Sequence, residues 1–309
     1  MQGFTVKFTT SIPILAGIAW LSGRTSLAAG EERPPFEKLF DLNSEKVFGG
    51  KAKLEGDRVT IEFTKSGQFS RGFEGTGMLK LEDIKGLNRD IIDKAGQREG
   101  KPAVASNGEQ GEWQSRFELS GDVSLSFKIT VRPPQRSSQF VVWLNRGSKG
   151  ALQSSFFQSA ALVSGGKVKK TVASKEIQGT PDKWFDPRTS FYADLSVKEK
   201  AFTVKAAKQP KEDKDKLEMK ESTVLDDIGD ANSGRIVFSF KKLGFVLSNV
   251  KVSGKIDLEW VKKQLQELED KGDLVLKEAP ASVQPPTRKS LEKAEDEKAK
   301  RRKEAEVDL

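Results

Sequence analysis

The clearest pattern in the chain is a strict alternation of apolar and polar residues from Val123 to Val131. Such a two-residue period predicts a β-strand with one buried face and one solvent face of Ser, Lys and Thr. Segments 113–119 and 139–145 also have strand character and are joined to it by turn-forming residues. We expect the three strands to pair as one antiparallel sheet, with any function on the polar face or at its ends, near Trp113 and Arg146.

Similar alternation predicts further strands on both sides of this block. They are a hairpin over 51–63, strands over 68–73, 77–81, 152–163, 234–240 and 245–252, and a hairpin over 190–205. Residues 83–95 have the apolar spacing of a short helix, whereas 97–111 read as a long polar loop. Asp257 is placed to cap a helix that ends at Gly272. The pattern therefore predicts an all-β antiparallel domain followed by a short C-terminal helix.

The first 28 residues have the organisation of a signal peptide. Lys7 precedes an apolar stretch over 12–21, and small residues at 26 and 28 are typical of a cleavage site. The stretch is shorter than the roughly 20 residues that span a bilayer. We therefore expect an exported protein that is periplasmic, extracellular or at the cell surface. A membrane connection is expected only through an uncleaved signal segment, and a buried N-terminal helix is the other interpretation.

The rest of the chain divides by composition into four parts. Residues 29–35 form a linker, 36–254 the β-domain, 257–272 the C-terminal helix and 279–309 a charged tail. The tail consists mostly of charged residues and alanine without an apolar stripe, which predicts disorder. Contact with a partner or with an anionic envelope polymer is the alternative for this tail.

Composition excludes several kinds of chemistry. The 309 residues include neither cysteine nor histidine, which rules out disulfides, thiol catalysis, Cys/His zinc sites and His-dependent triads. The 53 basic and 45 acidic residues are mixed along the chain, so nucleic-acid binding is not expected.

No cofactor is expected, but one loop offers oxygen ligands of the kind that calcium prefers. It contains Asp226, Asp227, Asp230 and Asn232. A polar turn accounts for the same residues, because Asp, Asn and Gly recur in turns for backbone reasons.

The sequence suggests sugar binding more than sugar hydrolysis. Glu112, Glu118 and Asp122 lack the Glu-x-Asp-x-x-Glu spacing of the retaining β-glucanases, and no other pair of acids specifies a reaction. Aromatic residues near polar ones provide a stacking surface for sugars instead. The candidate carbohydrate-binding residues are Trp184, Tyr192, Trp143, Arg146 and Arg188. Core packing is the alternative for Trp143 and Trp113, and pinning of a loop is the alternative for Trp184.

Three stretches of the chain, Phe36 to Asp41, 113–146 and 234–252, carry a family likeness. They resemble the opening Leu-Phe-Asn-Gly segment, the central Trp and alternating-strand block, and the closing strands of the 3-keto-disaccharide hydrolase domain group. The chain departs from that group in having Arg-Ser-Ser where the group has an Asn-Ser-Gly turn. It also lacks a histidine or a Gly-rich loop before the final strands, so no catalytic residue is carried over.

The resemblance implies a two-sheet antiparallel jelly-roll sandwich of the concanavalin A-like lectin/glucanase type. A short C-terminal helix and a disordered charged tail complete the expected architecture. The first functional hypothesis is an exported lectin-like domain that binds a glycan without catalysis. The alternatives are a glycoside hydrolase or lyase acting on a 3-keto-disaccharide or a similar glycoside, and a structural or interaction module of the cell envelope. The sequence specifies neither the ligand nor the oligomeric state.

Overall fold

The computed structural model describes residues 33–65, 67–84, 89–96, 100–131, 138–156, 161–164, 167–168, 190–209 and 217–277. By its internal contacts the chain divides into Met1–Arg33 and Pro34–Leu309, and the fold described below belongs to the second unit. The predicted signal peptide and charged tail lie outside the described residues. None of the described helices is long and apolar enough to cross a membrane.

The fold is an all-β antiparallel sandwich. The described residues contain sixteen strands: β1 Lys51–Glu55, β2 Arg58–Phe63, β3 Phe73–Gly75, β4 Met78–Leu79, β5 Pro102–Ser106, β6 Gln110–Ser115, β7 Leu119–Val131, β8 Gln139–Gly147, β9 Gly150–Ser155, β10 Ala161–Ser164, β11 Lys167–Val168, β12 Phe191–Lys198, β13 Ala201–Lys208, β14 Lys220–Leu225, β15 Ser233–Lys241 and β16 Phe245–Lys255. The described helices are α1 Phe36–Phe48, α2 Phe69–Gly72, α3 Arg89–Gly96 and α4 Leu258–Asp270, with a 3₁₀ turn at Leu81–Asp83.

The strands form two sheets. The first sheet has the order β1-β2-β16-β7-β12-β13-β14, and β5, with β4 at its side, takes the place of β2 along the N-terminal half of β16. The second sheet has the order β3-β6-β15-β8-β9-β10-β11. Every pairing is antiparallel, and β7 and β15 also meet over a two-residue ladder at one end of the sheets.

The predicted pairing of the three central strands is wrong, although each strand exists. β7 lies between β16 and β12 in the first sheet, whereas β6 and β8 flank β15 in the second. Residues 116–118 therefore carry the chain from the second sheet to the first, and β8 belongs to the second sheet again. Alternation shows which side chains of a strand face the core, but it does not identify the neighbouring strand. Crossings of this kind are typical of a jelly roll.

The core between the sheets is rich in aromatic rings. Phe127 of the first sheet lies 5.9 Å from Phe140 and 5.8 Å from Phe238 of the second sheet, measured between ring centroids. Trp113 is fully buried, 5.3 Å from Phe245, and its indole N–H donates to the backbone oxygen of Thr76 at 3.0 Å. The core-packing interpretation of Trp113 is thus confirmed.

Two helices close one end of the sandwich, and the sequence predicted only the second. Asp257 caps α4 by accepting from the backbone N–H of Glu259 at 2.9 Å, as expected. Trp260 of α4 packs against Phe48 at the end of α1, with ring centroids 5.7 Å apart. The Asn43 side chain donates to the backbone oxygen of Val275 and accepts from its N–H, so α1 also holds the segment after α4.

The region before β6 differs most from the sequence prediction. The expected loop over 97–111 contains β5 and the start of β6, and the expected strand over 68–73 is mostly the short helix α2. β5 shows no alternation because α3 packs on its outer side, so both of its faces are apolar and its last four residues are buried. Its proline stands at the first strand position, where no ladder hydrogen bond is lost.

Candidate functional site

The outer face of the first sheet carries a lateral line of charged residues, one from each strand. Successive members face each other across the strand pairings, and only Ser126 is uncharged. We call this line the charged row; it consists of Lys51, Glu62, Lys251, Ser126, Asp194, Lys205 and Glu221. Lys251 lies 3.2 Å from Glu62, and Lys205 lies 2.7 Å from Glu221, so these four side chains form two ion pairs.

A second line of side chains runs beside the charged row, two residues away from it on each of five strands. We call it the hydroxyl row; it consists of Thr60, Ser253, Ser124, Ser196 and Thr203, on five adjacent strands. All five are half-buried. The Ser124 and Ser253 hydroxyls lie 2.8 Å apart, and Arg58 donates to Ser253 at 3.2 Å. With strands about 4.8 Å apart, the row extends over about 19 Å.

A cleft of about 380 Å³ opens beside these rows. It forms where the partner of β16 changes, because β2 ends after the pair Phe63–Val250 and β5 begins at the pair Pro102–Ser248. The residues that line it are Glu62, Thr64, Lys101, Ser126, Asn249, Val250 and Lys251.

Asn249 shapes the base of the cleft. It lies at the irregularity between the two halves of β16, with a φ of 52°, a left-handed conformation that asparagine tolerates better than most residues. Its side-chain oxygen accepts from the backbone N–H of Lys101 at 2.7 Å, and the backbone N–H of Asn249 donates to the backbone oxygen of Lys101 at 3.1 Å. The backbone of Lys101 is therefore fixed at the rim of the cleft.

Helix α3 covers the other part of this face. Lys128 and Thr130 were expected in solvent but are 0% and 2% exposed. The Lys128 ammonium donates to the backbone oxygen of Ala95 at 3.2 Å and lies 5.8 Å from the centroid of the Tyr192 ring. The polar face predicted for β7 is therefore open only at Ser124 and Ser126, since α3 buries the rest.

Asp194 is the half-buried carboxylate of the charged row. Burial raises the pKa of Asp194 above its ordinary value of 3.8, and the Lys205 ammonium opposes the shift. This carboxyl group therefore holds its proton to a higher pH than a solvated aspartate does.

The outer face of the second sheet holds Trp143 and Arg146. The Arg146 guanidinium lies over the Trp143 ring at 5.3 Å from its centroid and pairs with Glu112 at 2.7 Å. One face of the indole is thus covered by an arginine of the same chain. A sugar that stacked there would have to displace that arginine.

The predicted carbohydrate-binding residues do not form a single site in the described structure. Trp143 and Arg146 lie together on the second sheet, whereas Tyr192 lies on the first sheet, on the opposite outer face of the sandwich. Trp184 and Arg188 fall outside the described residues.

The acidic loop before β15 has the geometry of a turn. Asp227 accepts from the backbone N–H of Gly229 at 2.9 Å, while Asp226, Asp230 and Asn232 are exposed. Within the described part of the chain, no three His, Cys, Asp or Glu residues are grouped so that they could hold a metal ion. Calcium at this loop stays a prediction.

Comparisons with known proteins give only remote similarities. No protein-family model and no curated protein matches the sequence. Among solved structures, the chain is similar to the carbohydrate-binding module CBM66 from Bacillus subtilis, with 13% identity, 48% of this chain and 86% of that module covered, and a TM-score of 0.32.

Two further structures show the same range of similarity. A protein of unknown function with a galectin-like fold from Bacillus subtilis has 9% identity, 66% and 99% coverage and a TM-score of 0.37. A lectin from Bauhinia forficata, in complex with GalNAc, has 9% identity, 65% and 100% coverage and a TM-score of 0.34. The fold described above rests on the strand pairings themselves, and the resemblance to the 3-keto-disaccharide hydrolase domain group stays a prediction.

Proposed function

We propose that this protein is an exported carbohydrate-binding protein that holds a linear glycan across the strands of its first sheet. The observation that carries the proposal is the hydroxyl row beside the cleft. A serine or threonine hydroxyl both donates and accepts hydrogen bonds, as a sugar hydroxyl does. Five such groups on adjacent strands offer a series of matching partners along a chain of sugars.

The rigidity of the sheet favours this use of the row. Side chains on paired strands are held in position before a ligand arrives, so little conformational entropy is lost on binding. Each hydrogen bond exchanged with water contributes only about 0.5–1.5 kcal/mol. We therefore expect affinity to grow with glycan length and to be modest for a single sugar.

A glycan array followed by isothermal titration with the full chain tests the proposal. Ser196→Tyr places a bulky ring in the hydroxyl row and should keep the glycan from contacting the neighbouring hydroxyls. We expect a loss of at least about 1.4 kcal/mol of binding free energy, which is a ten-fold increase in Kd. The matched control is Ser239→Tyr on β15, the same change on the outer face of the second sheet.

Three results would contradict the proposal. They are the absence of binding to any glycan, equal effects of the two tyrosine variants, and a loss of binding that occurs only with Trp143→Ala on the second sheet. Chromatography of the bound glycan after incubation distinguishes the hydrolase alternative, because only an enzyme would shorten it. Sequencing of the N-terminus of the exported protein tests the predicted cleavage after Ala28.

A further inference from the structure

We infer that the cleft takes a carboxylate-bearing sugar, such as a uronic acid, as one unit of the bound glycan. The inference rests on the proposed function and adds a ligand class to it. It starts from the functional groups around the cleft, which are mostly hydrogen-bond donors or cations.

Lys101 supplies a positive charge at the rim. Its side chain is exposed, and no ion pair to it is found among the described residues. Lys251, on the other side of the cleft, is already paired with Glu62 at 3.2 Å. Within the described ranges, the carboxylate of Glu62 is therefore matched by Lys251, whereas Lys101 has no carboxylate partner and can serve a ligand.

Asn249 and Ser126 add uncharged donors. Because the side-chain oxygen of Asn249 is engaged by the Lys101 N–H, the amide nitrogen is the group of this side chain that can serve a ligand. Ser126 and Thr64 contribute hydroxyls. A carboxylate accepts hydrogen bonds only, and its two oxygens can take several at once, so its chemistry matches this set of donors better than a neutral sugar does.

The cleft is continuous with the hydroxyl row. Ser126 in the cleft and Ser124 in the row are two residues apart on the same face of β7, about 7 Å along the strand. A sugar unit in the cleft can therefore belong to the same glycan that contacts the row. The acidic unit would give selectivity, while the row would give length-dependent affinity.

Matched oligosaccharides that differ only in the carboxylate provide the test. Oligogalacturonate, oligomannuronate and oligoglucuronate are each titrated against the full chain beside their carboxyl-reduced counterparts, which have the same backbone without the charge. We expect the acidic member of the bound pair to bind about two- to five-fold more tightly, the upper part of the range for a solvent-exposed ion pair. This preference should become smaller as salt is raised from about 20 to about 500 mM, because the Debye length shortens and the charge of Lys101 is screened.

Variants assign the preference to the cleft. Lys101→Ala should remove most of the difference between the two members of a pair, because only the uncharged donors then favour the carboxylate, and Lys101→Glu should reverse it. Lys241→Ala, an exposed lysine at the end of β15, is the matched control and should leave the preference intact. Thermal melts of each variant establish that the fold is retained.

The outcomes separate this inference from the proposed function. Equal binding of acidic and neutral members would overturn the acidic-sugar inference and leave carbohydrate binding in place. An acid preference as large in Lys101→Ala as in the original chain would overturn the assignment to the cleft. Binding of no member of any pair, together with an empty glycan array, would overturn the inference and the proposed function alike.

Discussion

The outer faces of the two sheets are both polar but are built differently. On the second sheet, long charged side chains bind one another: Arg235 reaches Glu74 at 3.7 Å and Glu118 at 3.4 Å, and Arg146 pairs with Glu112 at 2.7 Å. On the first sheet, the charged row also contains two ion pairs, but a row of short hydroxyl side chains and the cleft lie beside it.

The difference shows why a count of polar residues does not locate a site. Charged side chains that satisfy one another leave few groups for a ligand, and exposed pairs contribute little to stability. Among the short side chains of the hydroxyl row, the Ser124 and Ser253 hydroxyls contact each other, and each hydroxyl can both donate and accept, so the row keeps hydrogen-bonding capacity for a ligand. This contrast supports the proposal that the ligand binds on the first sheet rather than on the paired charges of the second.

The largest expected effects compare two asparagines, one in each sheet. Asn145 on β8 and Asn249 on β16 both have a φ of 52°. Asn145 is 1% exposed and donates to the backbone oxygen of Ala231 at 3.0 Å. Asn145→Ala should lower the free energy of unfolding by about 2–3 kcal/mol, since it loses a buried hydrogen bond and puts alanine in a left-handed conformation. Glycan affinity should be unchanged where the variant is folded.

Asn249→Ala should lower stability less than Asn145→Ala does, but it should also lower glycan affinity. The site is only half-buried, so we expect a smaller loss of about 1–2 kcal/mol in the free energy of unfolding. Because the side chain fixes the backbone of Lys101, glycan affinity should fall as well. Urea denaturation and titration of both variants provide the measurement. A loss of affinity in Asn145→Ala as large as that in Asn249→Ala would remove the distinction between the two sheets.

The contacts between Asn249 and Lys101 could not be predicted from the sequence. Lys101 and Asn249 are 148 residues apart, and neither belongs to a motif. By contrast, the hairpin of β12 and β13 and the Asp257 cap depend on neighbours in sequence, and the sequence predicted both. Local patterns thus predicted many strands and α4. The cleft depends on which strands become neighbours, and long-range pairing sets that.

Lys128 illustrates the same limit on a single strand. It follows Ser124 and Ser126 in the alternating pattern, and nothing in that pattern distinguishes a solvent-facing lysine from a covered one. Helix α3, which covers it, precedes β7 in the chain by two strands. The alternating pattern identified the β7 member of the hydroxyl row, Ser124, but the other members belong to β2, β12, β13 and β16, and only the register between the strands brings them into line.

An intermediate effect should follow from removing one carboxylate on each face. Glu62→Gln frees the Lys251 ammonium beside the cleft, so we expect acidic oligosaccharides to bind about three-fold more tightly, within the range of a partly solvated pair. Glu112→Gln removes the partner of Arg146 on the second sheet and should leave glycan binding unchanged. Isothermal titration with one acidic and one neutral oligosaccharide measures both variants, and a gain in Glu112→Gln would contradict the assignment.

The smallest expected effect concerns Asp194, the half-buried carboxylate of the first face. Because burial raises its folded-state pKa, the folded chain binds a proton more tightly than the unfolded chain between pH 3.8 and the raised value. The contribution of Asp194 to the free energy of unfolding is therefore full at low pH and is lost as pH rises through that window. Asp194→Asn removes this loss, so the stability of the variant relative to the original chain should increase with pH and then level off.

Urea denaturation of both chains from pH 3 to pH 7 measures that difference, and the other carboxyl groups cancel because both chains contain them. Lys205→Met sharpens the test. Without the Lys205 ammonium, which opposes the shift, the pKa of Asp194 should rise further and the window should extend to higher pH. If the free energy of unfolding of Asp194→Asn differed from that of the original chain by the same amount at every pH, Asp194 would be as well solvated in the folded as in the unfolded chain. The charged side chains of the charged row would then all be solvated, as those of the ion pairs on the second sheet are.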